Sequence, residues 1–297
     1  MGDSATASEH EGSEMTEESR AVLITGCSSG IGRETARHLA DKGWKVYATA
    51  RRPESIEELK TEGCETLACD VTDEASMSAC VRAVEQAEGA VGALVNNAGY
   101  SQSGAIEEVP IDAVRRQFET NVFGLMRMCQ LALPGMRAQG WAKIVNVSSM
   151  GGKLVFPGGG VYHATKHAVE ALSDALRFEV AGFGVDVVVI EPGLIKTSFA
   201  EAAVGSMASE LPTDGPYAEF NAAVSRETAS AYEGPLARLG GGPETVARKI
   251  ERAISSRRPR TRYKVTASAG MGLGARRLMT DRMWDRFVGT QFPRPGR

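Results

Sequence analysis

The stretch AVLITGCSSGIGRETARHLADKG, residues 21–43, decides the fold. A short β-branched run comes first, a glycine turn of the form GxxxGxG follows, and the next residues place apolar side chains at helical spacing. Glycines let the backbone turn tightly and approach a pyrophosphate, and a helix N-terminus offers free N–H groups to it. We favour a dinucleotide-binding loop over an ordinary strand-to-helix turn, because strand and helix flank the glycines correctly. The predicted contacts are Gly26, Ser28, Ser29, Gly30, Ile31 and Gly32.

Apolar runs alternate with helical segments along the rest of the chain. Near-continuous apolar strands that alternate with helices indicate a parallel sheet covered on both faces. The sequence therefore predicts an α/β protein with a single doubly wound parallel sheet, a Rossmann fold, and helices on both faces. Further strands are predicted over 44–50, 66–71, 93–99, 143–149, 185–192 and 262–265, and helices over 111–137, 160–182 and 275–288, among others.

The 297 residues, 42% of them hydrophobic, are enough for one large core, which we place in residues 20–297. Residues 1–19 carry six acids and no Lys or Arg, and we predict a disordered acidic tail. The helical pattern dissolves over 194–242, which predicts a substrate-binding loop, with short helices as an alternative. Residues 270–297 form a helical extension that we expect to cover the domain or a partner subunit. Its basic charges are interleaved with apolar residues, which favours a solvated face over a nucleic-acid site.

Five cysteines without a CxxC pair fit reduced thiols better than disulfides. No apolar run approaches the roughly 18 residues that span a bilayer, and the N-terminus lacks a signal-peptide core. We therefore expect a cytoplasmic protein without a transmembrane segment. His163 and His167 lie four residues apart, but no HExxH glutamate or third ligand accompanies them, so we predict no metal site.

The strand over 44–50 ends where an acid would hold the ribose 2′-hydroxyl of NAD, but Arg51 and Arg52 stand there instead. A guanidinium suits a 2′-phosphate, so NADP is the better prediction and NAD the less favoured one. Two merely solvated arginines are the alternative. Asp70, at the predicted end of the next strand, either accepts a hydrogen bond from adenine or caps the following loop.

Tyr162 and Lys166 lie four residues apart on one predicted helix face, so their heads can converge. A phenol with a pKa of about 10 is a poor base, and a nearby ammonium favours the phenolate. Ser149 precedes Tyr162 by thirteen residues, where its hydroxyl could bond the same substrate oxygen. The YxxxK string alone is weak evidence, since this spacing is common on solvated helices.

Five motifs in order resemble the short-chain dehydrogenase/reductase family, most closely its 17β-hydroxysteroid and retinol dehydrogenase branch. They are TGCSSGIG at 25–32, NNAG at 96–99, the Ser149 to Tyr162 spacing, YHATK at 162–166, and EPG at 191–193 with Thr197 beyond it. The resemblance implies that Tyr162 donates or accepts the proton and that Lys166 lowers its pKa and holds the nicotinamide ribose. Ser149 would orient the substrate oxygen, and Asn121 would support a proton-relay water.

The resemblance also assigns the remaining cofactor contacts. Ser29 and Arg51 would meet the 2′-phosphate, Asp70 and Val71 the adenine, and Asn97, Ala98 and Gly99 the middle of the cofactor. Pro192, Gly193 and Thr197 would meet the nicotinamide end.

These residues predict an NADP-dependent oxidoreductase that transfers hydride between the nicotinamide and an apolar alcohol or ketone, such as a steroid or retinoid. The alternative is an NADP-binding sensor or scaffold protein without turnover. The helices that begin at Ile111 and Gly160 are apolar on more than one face, which predicts a homodimer or homotetramer.

Overall fold

The computed structural model describes residues 18–296, and within them seven strands form one parallel sheet in the order β3-β2-β1-β4-β5-β6-β7. The chain leaves β1 for β2 on one side and later returns to β4 on the other, which makes the sheet doubly wound. This confirms the predicted fold class. The strands are β1 Val22–Ile24, β2 Val46–Ala50, β3 Cys64–Ala68, β4 Ala93–Asn96, β5 Ala142–Val147, β6 Val185–Pro192 and β7 Arg262–Val265.

Helices cover both faces of this sheet. They are α1 Gly30–Asp41, α2 Glu74–Glu88, α3 Ile111–Phe118, α4 Leu125–Gln139, α5 Gly160–Val180, α6 Phe199–Glu210, α7 Ala218–Glu233, α8 Pro243–Ser255, α9 Ala267–Leu278 and α10 Asp281–Val288. No helix in residues 18–296 is both long and apolar enough to cross a membrane.

Strand β1 shows why two cores form. Val22 and Ile24 face the core beneath α1 and α8, whereas Leu23 faces the core beneath α2 and α4. Successive strand residues point to opposite faces, and all three are apolar, so each face needs its own layer of helices. Full burial of such a side chain contributes about 1.5–3 kcal/mol relative to an exposed one.

The predicted third strand was placed too late in the chain. It spans Cys64–Ala68 rather than 66–71, so Asp70 lies beyond its end. The Asp70 carboxylate accepts hydrogen bonds from the Thr72 backbone N–H at 2.9 Å and from the Thr72 hydroxyl at 2.8 Å. Asp70 therefore closes the following turn through one carboxylate oxygen, Oδ1, and the adenine contact stays a prediction.

The C-terminal extension also differs from its prediction. The single helix predicted over 275–288 is wrong, because the chain breaks at Met279 and Thr280 between α9 and α10. Thr280 has an extended backbone, and its hydroxyl caps α10 by accepting from the Met283 N–H at 3.4 Å. A Thr that caps a new helix satisfies an N–H that would otherwise lack a partner.

The remaining segments need smaller corrections. The helix predicted over 111–137 runs through α3 and α4, joined by a π-helical segment, Glu119–Gly124. The segment 194–242 contains α6, α7 and a short 3-10 helix, Pro235–Leu239.

The predicted tail, residues 1–19, lies outside the described residues except for its last two. Ser19 is fixed to the domain, since its hydroxyl donates to the Ala90 carbonyl at 2.7 Å and its N–H donates to the Gln139 side chain at 3.0 Å. Ser19 therefore belongs to the folded domain, whose predicted start is Arg20.

Candidate active site

The carboxyl ends of β1, β4, β5 and β6 open into one cavity of about 1440 Å³. A single small ligand occupies a pocket of roughly 300–1,000 Å³, so this cavity has room for a cofactor and a substrate together. Such a position, where the order of strands reverses, is the usual ligand site of an open α/β sheet.

The glycine turn between β1 and α1 forms one wall of the cavity. Gly26 and Gly30 have positive φ angles of 72° and 57°, which L side chains rarely adopt. A Cβ on Gly32 would lie 2.3 Å from the Gly26 carbonyl oxygen and 2.5 Å from the Asn97 amide nitrogen. The turn therefore fits a dinucleotide, because its bare backbone and the first N–H groups of α1 are available to a pyrophosphate.

Asn97 fixes this turn from the neighbouring strand. Its side-chain amide donates to the carbonyl oxygens of Thr25 and Gly26 at 2.9 and 3.0 Å. The backbone N–H groups of Asn97 and Ala98 both donate to the Thr25 hydroxyl at 3.0 Å. Asn97 thus shapes the turn with its side chain while lining the cavity.

Most of the predicted site residues line the cavity, but Gly32, Arg52 and the predicted catalytic residue Asn121 are not among its lining residues. Arg51 and Arg52 are both exposed, but only Arg51 lines the cavity. Gly30 and Thr197, predicted at opposite ends of the motif set, meet there, since a Cβ on Gly30 would lie 3.3 Å from the Thr197 side chain. The other lining residues from the predicted set are Gly26, Ser28, Ser29, Ile31, Asp70, Val71, Asn97, Ala98, Gly99, Ser149, Tyr162, Lys166, Pro192 and Gly193.

Ser149, Tyr162 and Lys166 meet on the cavity wall. Ser149 follows β5, and its hydroxyl accepts from the Gly151 N–H at 3.0 Å. Tyr162 and Lys166 lie in the first turns of α5, with the Lys166 ammonium 5.8 Å from the centre of the Tyr162 ring. The ammonium also donates to the Val147 carbonyl at 2.8 Å, so strand β5 fixes the lysine head.

Burial controls the ionisation of this group. It raises the pKa of the Tyr162 phenol, while a hydrogen bond with Ser149 acts in the opposite direction. It also lowers the pKa of Lys166 to about 8, with the nearby Glu170 carboxylate opposing the shift. The pKa of Tyr162 thus moves opposite to the predicted direction, because desolvation is its largest cause.

Asn121 lies behind these residues, in the π-helical segment. Its amide nitrogen donates to the Tyr100 carbonyl at 2.9 Å and to the Thr165 hydroxyl at 3.1 Å. Its amide oxygen accepts from the Tyr100 N–H at 3.1 Å. A Cβ on Gly99 would lie 3.1 Å from that oxygen and 3.8 Å from the Lys166 ammonium. Asn121 therefore fixes the wall next to Lys166.

Comparison with known proteins agrees with this geometry. The model of the short chain dehydrogenase family matches residues 20–207. The chain belongs to the short-chain dehydrogenase family. It is 34% identical to the NADPH-dependent 3-dehydrocapnine reductase of Ornithobacterium rhinotracheale, over 90% of this chain and 95% of that one. It is 35% identical to the 17-beta-hydroxysteroid dehydrogenase type 1 of Homo sapiens, over 82% of this chain and 77% of that one.

The fold of the dehydrogenase is also similar to a solved relative. A short-chain dehydrogenase/reductase from Burkholderia phymatum, solved in complex with NAD, superposes with a TM-score of 0.74 and 26% identity. The match covers 95% of this chain and 99% of that one.

Part of the cavity wall is aromatic and apolar. None of the residues in this part was predicted from the sequence to belong to the site. Trp284 in α10 is buried, and its indole N–H donates to the Val155 carbonyl at 2.9 Å. Phe199 in α6 meets the Tyr162 ring edge to face, with ring centres 5.5 Å apart. For Trp284 and Phe287, the signal available in the sequence was the row of apolar residues at helical spacing in the C-terminal extension. Other members of this wall are Leu154, Phe156, Phe287 and Phe292.

His163 and His167 play structural parts in the dehydrogenase. His163 Nδ1 lies 3.1 Å from the Gly151 carbonyl oxygen, and His167 Nδ1 lies 2.8 Å from the His163 carbonyl oxygen. No group of three metal-ligating side chains occurs within residues 18–296. Burial lowers the pKa of His163 to about 4, so this imidazole is neutral at physiological pH.

We predict that the dehydrogenase loses stability between pH 6.5 and pH 4 through His163. In the unfolded chain the imidazole binds a proton at its ordinary pKa of about 6.5, whereas burial lowers that pKa to about 4 in the folded chain. Folding therefore excludes a proton in this window, and stability falls as the pH falls, by about 3 kcal/mol at most. Urea unfolding at pH 7 and pH 5 should show about 2 kcal/mol of this loss.

The variants His163→Gln and His167→Gln separate this effect from that of other groups. His163→Gln should lose less stability than the wild type between the two pH values, while His167→Gln should keep the wild-type difference. The same pH dependence in all three proteins would contradict the assignment.

Proposed function

We propose that this protein is an NADP-dependent oxidoreductase that transfers hydride between the nicotinamide and an apolar alcohol or ketone, of the steroid or retinoid kind. One observation carries the proposal. Ser149, Tyr162 and Lys166 line a single cavity that also contains the glycine turn and an aromatic wall, and Phe199 of that wall contacts the Tyr162 ring. The cofactor and an apolar substrate can therefore meet at the phenol.

In the proposed reaction the Tyr162 phenol exchanges a proton with the substrate oxygen, and the Ser149 hydroxyl bonds the same oxygen. The bound cofactor supplies or accepts the hydride. Because burial raises the pKa of Tyr162, the phenol is protonated at neutral pH and is suited to donate its proton during reduction of a ketone. The Lys166 ammonium, which the Val147 carbonyl fixes in place, would bond the nicotinamide ribose and take part in the proton transfer. Asn121 would position the backbone of Tyr100 beside that path.

Arg51 supports NADP as the cofactor. It follows β2 at the cavity, where the chain has no acid to bind a ribose 2′-hydroxyl. Its guanidinium forms no ion pair with a side chain in the described part of the chain and can take a 2′-phosphate. One relative is an NADPH-dependent reductase, whereas a solved relative is in complex with NAD. The choice between NADP and NAD therefore depends on residues beside the ribose, such as Arg51. The 2′-phosphate end would lie at Ser29 and Arg51, the adenine at Asp70 and Val71.

The aromatic wall supports an apolar substrate. A relative with 35% identity is a 17-beta-hydroxysteroid dehydrogenase, which agrees with this chemistry. Burial of apolar surface is worth roughly 25 cal/mol per Å², so this wall favours a large apolar substrate. We also place the enzyme in the cytoplasm, because all five cysteines are buried and unpaired.

We further propose a two-fold assembly through α4 and α5. Many apolar residues of these helices, among them Val122, Leu125, Met128 and Val169, are buried within the chain and need no partner. The exposed residues Phe123, Met126 and Phe178 remain, and Phe178 has 89% of its surface exposed. Exposed large apolar side chains on neighbouring helices are typical of an interface.

Tyr162→Phe tests the reaction against the alternative of an NADP-binding sensor. The variant should bind NADPH but reduce apolar ketones 10²- to 10⁴-fold more slowly, because it lacks the proton donor. Tyr47→Phe, which removes a hydroxyl that bonds Glu88, serves as the control and should keep full activity. NADPH consumption with a panel of steroid, retinoid and aromatic carbonyls is the measurement. Tight NADPH binding without turnover of any carbonyl or alcohol by the wild type would favour the sensor.

Arg51→Asp tests the cofactor. The exchange replaces a charge-assisted bond to the 2′-phosphate with a repulsive carboxylate, so the preference for NADPH over NADH should fall at least tenfold. Fluorescence titration with both cofactors measures it. Arg52→Asp makes the same charge change outside the cavity and should keep the wild-type preference. Equal affinity of the wild type for the two cofactors would be incompatible with the proposal.

Light scattering at micromolar concentration tests the assembly. The wild type should be a dimer or tetramer, and Phe178→Glu should dissociate it, because a carboxylate would be buried without a partner. Leu278→Glu alters an equally exposed residue of α9 and should leave the assembly intact. A chain that lacks residues 1–17 should assemble as well as the full chain. A monomeric wild type refutes the interface.

A further inference from the structure

Two polar side chains on the substrate side of the cavity lack protein partners. Gln102 has 2% of its surface exposed, lines the cavity, and its amide nitrogen has no hydrogen-bond partner among residues 18–296. Tyr232 is half-buried and lines the same cavity, and its hydroxyl has no hydrogen-bond partner among the described residues. The proposed hydride transfer uses neither group.

Both groups are fixed next to Tyr162. Gln102 lies in the segment between β4 and α3, where the Gly104 N–H donates to the Gly158 carbonyl at 2.7 Å. That bond joins the segment to the loop that leads into Tyr162. The Ala105 N–H donates to the Asn221 side chain at 3.0 Å, which joins the same segment to α7. Tyr232 lies in the last turn of α7, near enough to the Tyr162 phenol to affect it electrostatically.

A buried polar group without a partner is unusual in a folded protein, because burial removes its bonds to water. A packing role does not account for Gln102, because a Leu would fill the same space without leaving a buried amide nitrogen unpaired. Tyr232 lines the same cavity and adds a hydroxyl without a protein partner. A ligand that offers a hydrogen-bonding group would satisfy both.

We propose that Gln102 and Tyr232 bind a second polar group of the substrate, close to the carbonyl that is reduced. The inference rests on the proposed ketone reduction and narrows its substrate class. The substrate is a ketone with an oxygen-bearing substituent beside the carbonyl and an apolar remainder. Gln102 and Tyr232 hold the substituent, and the wall that contains Phe156 and Trp284 holds the apolar remainder.

Methyl 3-oxodecanoate and 3-decanone test this inference with NADPH as the reductant. Both ketones carry the same heptyl chain, but only the first has an ester oxygen near the carbonyl. The wild type should prefer the keto ester in kcat/KM. Tyr232→Phe, which removes a single oxygen atom, should reduce that preference about tenfold or more, and so should Gln102→Leu. Because the ratio compares two substrates on one protein, a general loss of structure does not change it selectively.

Matched controls make the same exchanges outside the cavity. Tyr217→Phe removes a hydroxyl that bonds Glu107 near the start of α7, and Gln86→Leu alters the exposed face of α2. Both controls should keep the wild-type ratio. If Gln102→Leu fails to fold, as judged by lost NADPH binding, Tyr232→Phe decides the question.

The outcomes separate this inference from the proposed function. Turnover of both ketones with the same ratio in the wild type and in Tyr232→Phe overturns the inference and leaves the proposed function standing. No turnover of these or any other carbonyl by a wild type that binds NADPH overturns the proposed function, and the inference with it.

Discussion

The bond between the Asn97 amide and the backbone of the glycine turn is the contact on which the site depends. It joins β4 to the end of β1 through the carbonyl oxygens of Thr25 and Gly26. It forms only because Gly32 has no side chain, since a Cβ there would lie 2.5 Å from the amide nitrogen. The turn that we propose for the pyrophosphate is therefore set by the neighbouring strand as well as by its own glycines.

Apolar cores cover both faces of the sheet, so polar side chains can reach a ligand mainly at the ends of the strands. Catalytic groups at those ends are partly enclosed, and burial then governs their ionisation. It raises the pKa of Tyr162 and lowers those of Lys166 and His163. The same architecture that creates the cavity thus keeps the phenol protonated and brings the pKa of Lys166 to about 8, as the proposed proton transfer requires.

The sequence predicted what local spacing determines and missed what tertiary contacts determine. The parallel sheet and the meeting of Ser149, Tyr162 and Lys166 follow from strand periodicity and a four-residue helical interval. The sequence could not show which of Arg51 and Arg52 lines the cavity. Both follow β2 directly, and only the fold places one of them at the cavity. The break at Thr280 was missed although its cap is local, because a Thr within a helical pattern is a weak signal for a new helix start.

The substrate wall was the least predictable part, because its residues come from segments far apart in the chain. Trp284 shows the consequence. Its indole N–H bonds the Val155 carbonyl, in the loop that connects Ser149 to Tyr162. Trp284 therefore lines the apolar wall and also fixes the loop that carries the proposed catalytic groups, and Leu154 and Phe156 of that loop pack against it. In the proposed function, substrate fit and catalytic geometry depend on the same contacts, so changes in the C-terminal extension would act on both.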